Sequence, residues 1–348
     1  MARNYSIEEA ELSTAAQAIQ SLWERNLTGH DATSVQVKLR LGYLDNPAGR
    51  GTVLLLRCEG LSHAQGTQGL HPRRFHLGPR SIRAIGLADF VVNADHRSLG
   101  PALMLMRRGA EVGAQSFDLT YGFPNAKAAP VCARAGLKRL GTMRRYAKPL
   151  ASREQLATRM PRWLARCCAP MVDRALSLLD WTRRCRLRAP LACRPAPWDD
   201  PAFDELWTRR PAATLLSERT GRMLHWRFGA PGRGAWQVCV ARDRSDTAMG
   251  YVVWRSAEGF AEIGDFFAKD PQTMTLALML AFVRLAARSG VQSISVEFFG
   301  GPRVTDQLLG AGMISRPDQM AVFIGATTAA ELESPEFWYL TAFDNDAD

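Results

Sequence analysis

From Leu87 the chain runs through a short apolar strand, LADFVV, crosses NADHRS, and enters an apolar helix at LGPALMLM. No other passage constrains the fold as much. A helix that starts directly after a strand gathers unpaired backbone N–H groups and the positive end of the helix dipole at the join, which suits a phosphate. Gly100 permits close approach of a ligand, Ala102 keeps the next position small, and Arg97 adds charge at the rim. Pro101 fits the first helical turn, where a backbone N–H would have no intrahelical acceptor, although it removes one phosphate donor.

Strands and helices alternate on both sides of this join. The spacing of Leu12, Ala16, Ile19 and Leu22 predicts a helix over SIEEAELSTAAQAIQSLWERNL, with Ser6 as N-cap and Glu9 completing a capping box. SVQVKLRLGYL alternates in the manner of a strand, NPAGRG turns, and TVLLLRCEG reads as a buried strand. RRFHLGPRSIRAIGLADFVV is strand material broken at Gly78 and Pro79. A helix from Leu99 is expected to close at Gly109 or Gly113. SFDLTYGF, a strand, follows, then a short helix in AKAAPVCARAGL ending at Gly136, then the strand TMRRYAKPL. Residues 1–150 thus form a mixed α/β domain.

The composition changes at residue 151. Residues 151–195 hold ten arginines against Glu154, Asp173 and Asp180, with an apolar stripe from Leu156 to Leu179 that Pro161 and Pro170 should interrupt or kink. We read this stretch as a basic amphipathic helical linker. Trp163 and Trp181 within it suit peripheral contact with an anionic membrane. Residues 196–348 repeat the grammar of strands, helix, strand, short helix and strand, including a last strand in QMAVFIGA, so one fold is used twice.

Composition narrows the chemistry. A chain of 348 residues with 47% hydrophobic and 22% charged residues is globular and long enough for two domains. The net charge of +10 fits an anionic ligand or surface and equally a soluble protein. The seven cysteines are irregularly spaced and without a CxxC pair, so neither a disulfide framework nor a zinc knuckle is expected. His71, His76 and His96 lack metal-site spacing, so no metal is expected. The opening stretch MARNYSIEEAELSTAAQAIQ has acidic residues where a signal peptide needs a basic segment followed by an apolar one, and no run approaches about 20 apolar residues. Cytoplasmic residence is the expectation.

The stretch from Leu87 to Leu137 resembles the GNAT superfamily of acyl-CoA-dependent N-acyltransferases. A strand like LADFVV leads there into a Q/R-x-x-G-x-G/A loop, matched here by Arg97, Gly100 and Ala102. The family's later N-x-x-A-x-x-Φ-Y-x-x-x-G-F pattern is matched by Asn125, Ala128, Val131 and Gly136. The resemblance implies an acyl-CoA co-substrate, its pyrophosphate held by the free amides of the loop formed by Arg97, Ser98, Leu99, Gly100, Pro101 and Ala102, and its pantetheine arm along Phe90, Val91 and Val92. Asn125 and Ala128 would complete that site. It further implies two GNAT-like domains joined by the basic linker, the second degenerate, as in the tandem Fem-type peptidyltransferases. Direct attack of an amine on the thioester needs a base and an oxyanion donor. Asp89 or a chain of waters is the expected base. Where the family often has a tyrosine to protonate the thiolate this chain has Cys132, and where it has the aromatic of GF this chain has Leu137, which leaves Tyr121 as a substitute acid.

The basic hairpin HPRRFHLGPRSIR suits the CoA 3′-phosphate or an acidic acceptor, and LHWRF, from Leu224 to Phe228, suits either an acceptor pocket or plain packing. FFAKDPQTMTLALML stands where a second phosphate loop would be and lacks the motif, so one CoA per chain is expected. Two rival functions share these features: a Fem-like transferase taking an aminoacyl group from tRNA, and a catalytically silent binding protein that keeps the fold. Nucleic acid is not an expected partner of the favoured reading.

Overall fold

The structure, a computed structural model, describes residues 3–26, 31–325 and 329–345. The chain begins with β1 (Tyr5–Glu9), α1 (Leu12–Asn26) and α2 (Ala32–Lys38), which runs on into a wide π turn (Leu39–Leu44). Then come β2 (Thr52–Cys58), β3 (Gly66–Leu77), β4 (Arg80–Val92), α3 (Leu99–Ser116), β5 (Leu119–Gly122), α4 (Ala129–Arg134) and β6 (Lys138–Pro149). The basic segment forms α5 (Arg153–Ala157) and α6 (Arg162–Cys185). The rest forms β7 (Ala192–Ala196), α7 (Ala202–Thr208), β8 (Leu215–Ser217), α8 (Gly221–Leu224), β9 (Gln237–Arg242), β10 (Ala248–Ala257) and β11 (Phe260–Ala268). It ends with α9 (Pro271–Arg288), β12 (Ser293–Gly300), α10 (Pro302–Gly310), β13 (Ile314–Ile324) and β14 (Trp338–Leu340).

The fourteen strands among the described residues join one mixed sheet, whose main path runs β1-β2-β3-β4-β5-β13-β6-β12-β11-β10-β9-β7. The two halves interlock in this order. β13, from the C-terminal half, pairs antiparallel with both β5 and β6, while β6 pairs on its other edge with β12. β4 and β5 are parallel, as are β11 and β12. A large core fills the space under β9 to β12 and α9, and smaller clusters pack α1, α2, α3 and α4 on the first half.

Several expectations give way to packing. Ser6 caps no helix. It lies in β1 opposite Arg57 of β2, and the helix starts at Leu12. Tyr5 and Ile7 face the Leu54 and Leu56 cluster at a two-residue period, so sheet pairing claims them. The strand expected at SVQVKLRLGYL is helical instead. Asp31 and Ser34 form a capping box, and Val35, Leu39 and Tyr43, four residues apart, pack on Ile19, Leu22 and Trp23. Neither Gly109 nor Gly113 stops α3. A Cβ at Gly113 would run into Thr120 Oγ1, and one at Gly109 would lie 3.2 Å from Gln68 Cγ, so both glycines let the helix approach the sheet. Pro161 is the N-cap of α6, and Pro170 sits inside the helix without interrupting it, at an exposed position where water can take the carbonyl that loses its partner. Leu27 of the expected first helix and Ala326 of the expected last strand lie outside the described residues.

Candidate active site

β4 and β5 pair only from Ala84 to Leu87 opposite Leu119 to Gly122, and beyond that point they part. A bulge in β4 marks the place. Thr67 faces Val91 and Gly69 faces Ala88, so Asp89 and Phe90 together oppose the single residue Gln68. Asp89 takes the left-handed conformation, with φ of 49°, which a side chain adopts only where its surroundings enforce it. Those surroundings are polar. Gln68 Nε2 donates to the carbonyls of Ala88 (2.7 Å) and Gly69 (3.1 Å), and Thr67 Oγ1 donates to that of Asp89 (3.0 Å).

A cavity of about 270 Å³ opens where the strands part. Asp89 and Phe90 of the bulge line it, with Met106 of α3, Asn125, Ala128 and Cys132 around α4, and Phe323 of β13. Lys38 stands on its wall with Nζ 2.7 Å from Asp89 Oδ1. Tyr43 donates its hydroxyl to Asp89 Oδ2, and that hydroxyl occupies room left by Gly69, whose Cβ would overlap it. His71 Nε2 lies 3.5 Å from Asp89 Oδ2, too far to satisfy the ring nitrogen. Burial alone would raise the Asp89 pKa. The Lys38 ammonium outweighs it, with help from His71, and holds the carboxyl well below its ordinary range. Burial dominates at His71, lowering its pKa and keeping the ring neutral at pH 7.

A smaller cavity adjoins this one, sharing Leu87, Ala88, Gly122 and Phe123, and is bounded by His71, Arg73, Tyr121, Asp344 and Asn345. Tyr121 therefore stands beside the small cavity rather than the large one, with its hydroxyl 3.3 Å from the Asp344 carbonyl. Arg73 is buried, pairs with no carboxylate among the described residues, and stacks 4.7 Å from the ring centroid of Trp226. Trp226 itself is packing: it is buried and donates to the Leu41 carbonyl at 2.8 Å, tying the halves together.

The strand-to-helix join lies farther along β4. Ser98 is the N-cap of α3 in an extended conformation and makes no side-chain cap, so the first helical amides, those of Leu99 and Gly100, have no intrahelical acceptor. A Cβ at Gly100 would meet nothing within 4 Å. Arg97 braces the loop, donating to the Val92 carbonyl (2.9 Å) and Asn26 Oδ1 (3.0 Å). Asn125 organises the turn into α4 by accepting from the amides of Lys127 and Ala128, each at 3.0 Å. Val91 and Val92 are buried in the core clusters, one on each face of β4. Cys132 is buried 3.8 Å from the Met106 sulfur, and burial pushes its pKa up to about 12, so it is a thiol at neutral pH.

Thus Asp89, Phe90, Asn125 and Ala128 meet at one cavity, the residues from Arg97 to Ala102 form the join, and Tyr121 stands apart. Lys38, Gln68, Tyr43 and His71 carry no sequence signal of their own. Only the fold brings the π turn of Leu39–Leu44 and the bulge together. At the start of α9, Asp270 accepts from the Gln272 amide at 3.0 Å and so places a carboxylate on that helix N-terminus.

No protein-family model matches the sequence, and no curated protein matches it. Solved structures do match. A GCN5-related N-acetyltransferase from Anabaena variabilis superposes with a TM-score of 0.62 at 13% identity, over 92% of this chain and 72% of that one. Another, from Kribbella flavida, gives 0.59 at 13% identity over 92% and 71%. N-myristoyltransferase from Saccharomyces cerevisiae with bound myristoyl-CoA gives 0.56 at 10% identity over 96% and 81%. Identities this low speak for the fold alone. The chain has the mixed α/β fold of the GCN5-related N-acetyltransferases.

Proposed function

We propose that the protein is a cytoplasmic acyl-CoA-dependent N-acyltransferase, with residues 1–150 as the CoA-binding domain and 196–348 as a degenerate second copy that shapes the acceptor side. The observation that carries this reading is the pairing of a bulged strand opening with a free helix N-terminus on the same β4–α3 unit. The CoA pyrophosphate sits on the join from Arg97 to Ala102, the pantetheine arm follows Phe90 to Val92, and the acyl group enters the cavity between Asp89 and Asn125.

The acceptor amine attacks the thioester carbon, the carbonyl oxygen takes the negative charge, and the tetrahedral intermediate collapses with loss of the CoA thiolate. A backbone N–H freed by the bulge steadies the oxyanion. Asp89, ion-paired and ionised, is too weak a base for this work, and its part is to hold Lys38, whose ammonium faces the cavity and stabilises the departing thiolate. The amine's proton passes through water to neutral His71, which borders the adjoining small cavity with Tyr121 on the acceptor side.

Gly100→Leu tests the reading at its base. Open space at Gly100 accepts the side chain, so thermal stability should hold, while CoA affinity by calorimetry should fall at least tenfold. Unchanged affinity would remove the site. Turnover of acetyl-CoA with a panel of amines and amino sugars separates an enzyme from a silent binder.

A further inference from the structure

The helix α6 shows its apolar stripe to solvent. Ala165, Ala169 and Asp180 face the protein and are buried, whereas Trp163, Met171, Leu178 and Trp181 on the opposite face are 69%, 73%, 59% and 55% exposed. At 100° per residue these four span one side of the 24-residue helix, with Cys167 and Cys185 between them. Burying such side chains against protein is the ordinary outcome for an amphipathic helix, so an exposed stripe of this size marks a contact surface.

The charges say what covers it. Both acids of α6 are committed to the protein: Asp173 accepts from the Ser152 amide at 2.7 Å, and Asp180 pairs with Lys148 at 2.8 Å and Arg183 at 2.9 Å. Arg174 is exposed within the stripe, Arg166 flanks it, Arg162 is exposed at the first residue of the helix, and Arg186 and Arg188 follow its end. The outward side of α6 is therefore apolar and cationic without a carboxylate. A second copy packed symmetrically, α6 on α6, would bring arginine against arginine with no acid on the facing helix to pair them. No helix among the described residues is long and apolar enough to cross a membrane.

We propose that the outward face of α6 lies in the headgroup layer of an anionic bilayer, its tryptophans and leucines at the acyl boundary and its arginines on lipid phosphates. Snorkelling arginine stems and interfacial tryptophans suit that depth. The Lys148–Asp180 pair, where Lys148 also donates to the Ala311 carbonyl at 2.9 Å, fixes the helix to the body, so the bilayer contact orients the whole molecule.

Flotation of the full chain with vesicles tests this. Vesicles with one-third phosphatidylglycerol in phosphatidylcholine should carry the protein at low salt, with binding falling at least tenfold in 0.5 M NaCl and absent on pure phosphatidylcholine. The double variant Leu178→Glu, Trp181→Glu, at exposed positions, should keep its circular dichroism and stop floating. Failure of the native chain to float on the anionic vesicles at low salt would overturn the proposal. So would a dimer, seen by light scattering, that the same double variant dissociates while flotation is unaffected.

Discussion

Lys38 and Asp89 are both almost wholly removed from water, and each offsets the other's charge there. Removing one partner of a buried pair leaves an uncompensated charge, at a cost of about 3–5 kcal/mol. Lys38→Met should therefore lower the unfolding free energy by about that amount in a denaturant titration, and adding Asp89→Asn should recover much of it. A single-variant loss near zero would mean that water reaches the pair. The same carboxylate sets a pH response: its folded pKa is depressed, so its contribution is complete above about pH 4, its unfolded value, and is lost as pH falls below that. His71 acts in the proposed chemistry only while neutral, and its pKa lies below 6.5. Activity should fall with decreasing pH only once the pH is under 6.5, and His71→Gln should remove that limb while lowering kcat by about 10²–10⁴. A variant that keeps both rate and limb would take His71 out of the mechanism.

At the scale of elements, the strand-to-helix join and the succession around it were legible because each element carries its own period and punctuation. The stretch from Ser34 to Leu44 misled because Val35, Val37, Leu39, Leu41 and Tyr43 satisfy period two, while Val35, Leu39 and Tyr43 satisfy a helical period equally. Which period wins depends on Ile19, Leu22 and Trp23 lying beneath, and no local pattern reports that. With that element misassigned, Lys38 and Tyr43 could not be placed beside Asp89, so half of the candidate site was hidden. The glycines of α3 show the converse, a punctuation mark serving as a packing device. Gly113→Ala raises helix propensity by about 1 kcal/mol, yet its Cβ meets Thr120 Oγ1 and lies 3.1 Å from Ile85 Cγ2. Overpacking of that kind costs about 1–3 kcal/mol, so the variant should be less stable on balance. A rise in melting temperature would show that α3 can lift off the sheet.

For the whole molecule, the interlocked sheet makes the two halves one folding unit despite their repeated grammar. Residues 1–150 supply β1 to β6, but β5 and β6 are hydrogen-bonded not to each other but to β13, which lies between them. Phe323 of that strand also walls the candidate cavity, and Val322 and Ile324 are fully buried in the cluster around Phe75 and Tyr121. A fragment ending at residue 150 thus loses the strands on either side of β6, leaving both edges of β6 and one edge of β5 unpaired beside an exposed apolar face, which invites aggregation. The C-terminal residues bind the halves a second time. Asp344 pairs at 2.7 Å with Arg219, which is wholly buried and also contacts Asp265 at 3.2 Å, while the Asp344 carbonyl faces Tyr121. Expressed alone, residues 1–150 should be insoluble or lack a cooperative unfolding transition. Co-expressed with residues 151–348 they should yield a soluble complex that binds CoA as the intact chain does. A soluble, cooperatively folding, CoA-binding fragment would show that β5 and β6 can close on each other, and that the strand exchange is an ornament of the fold, not a condition for it.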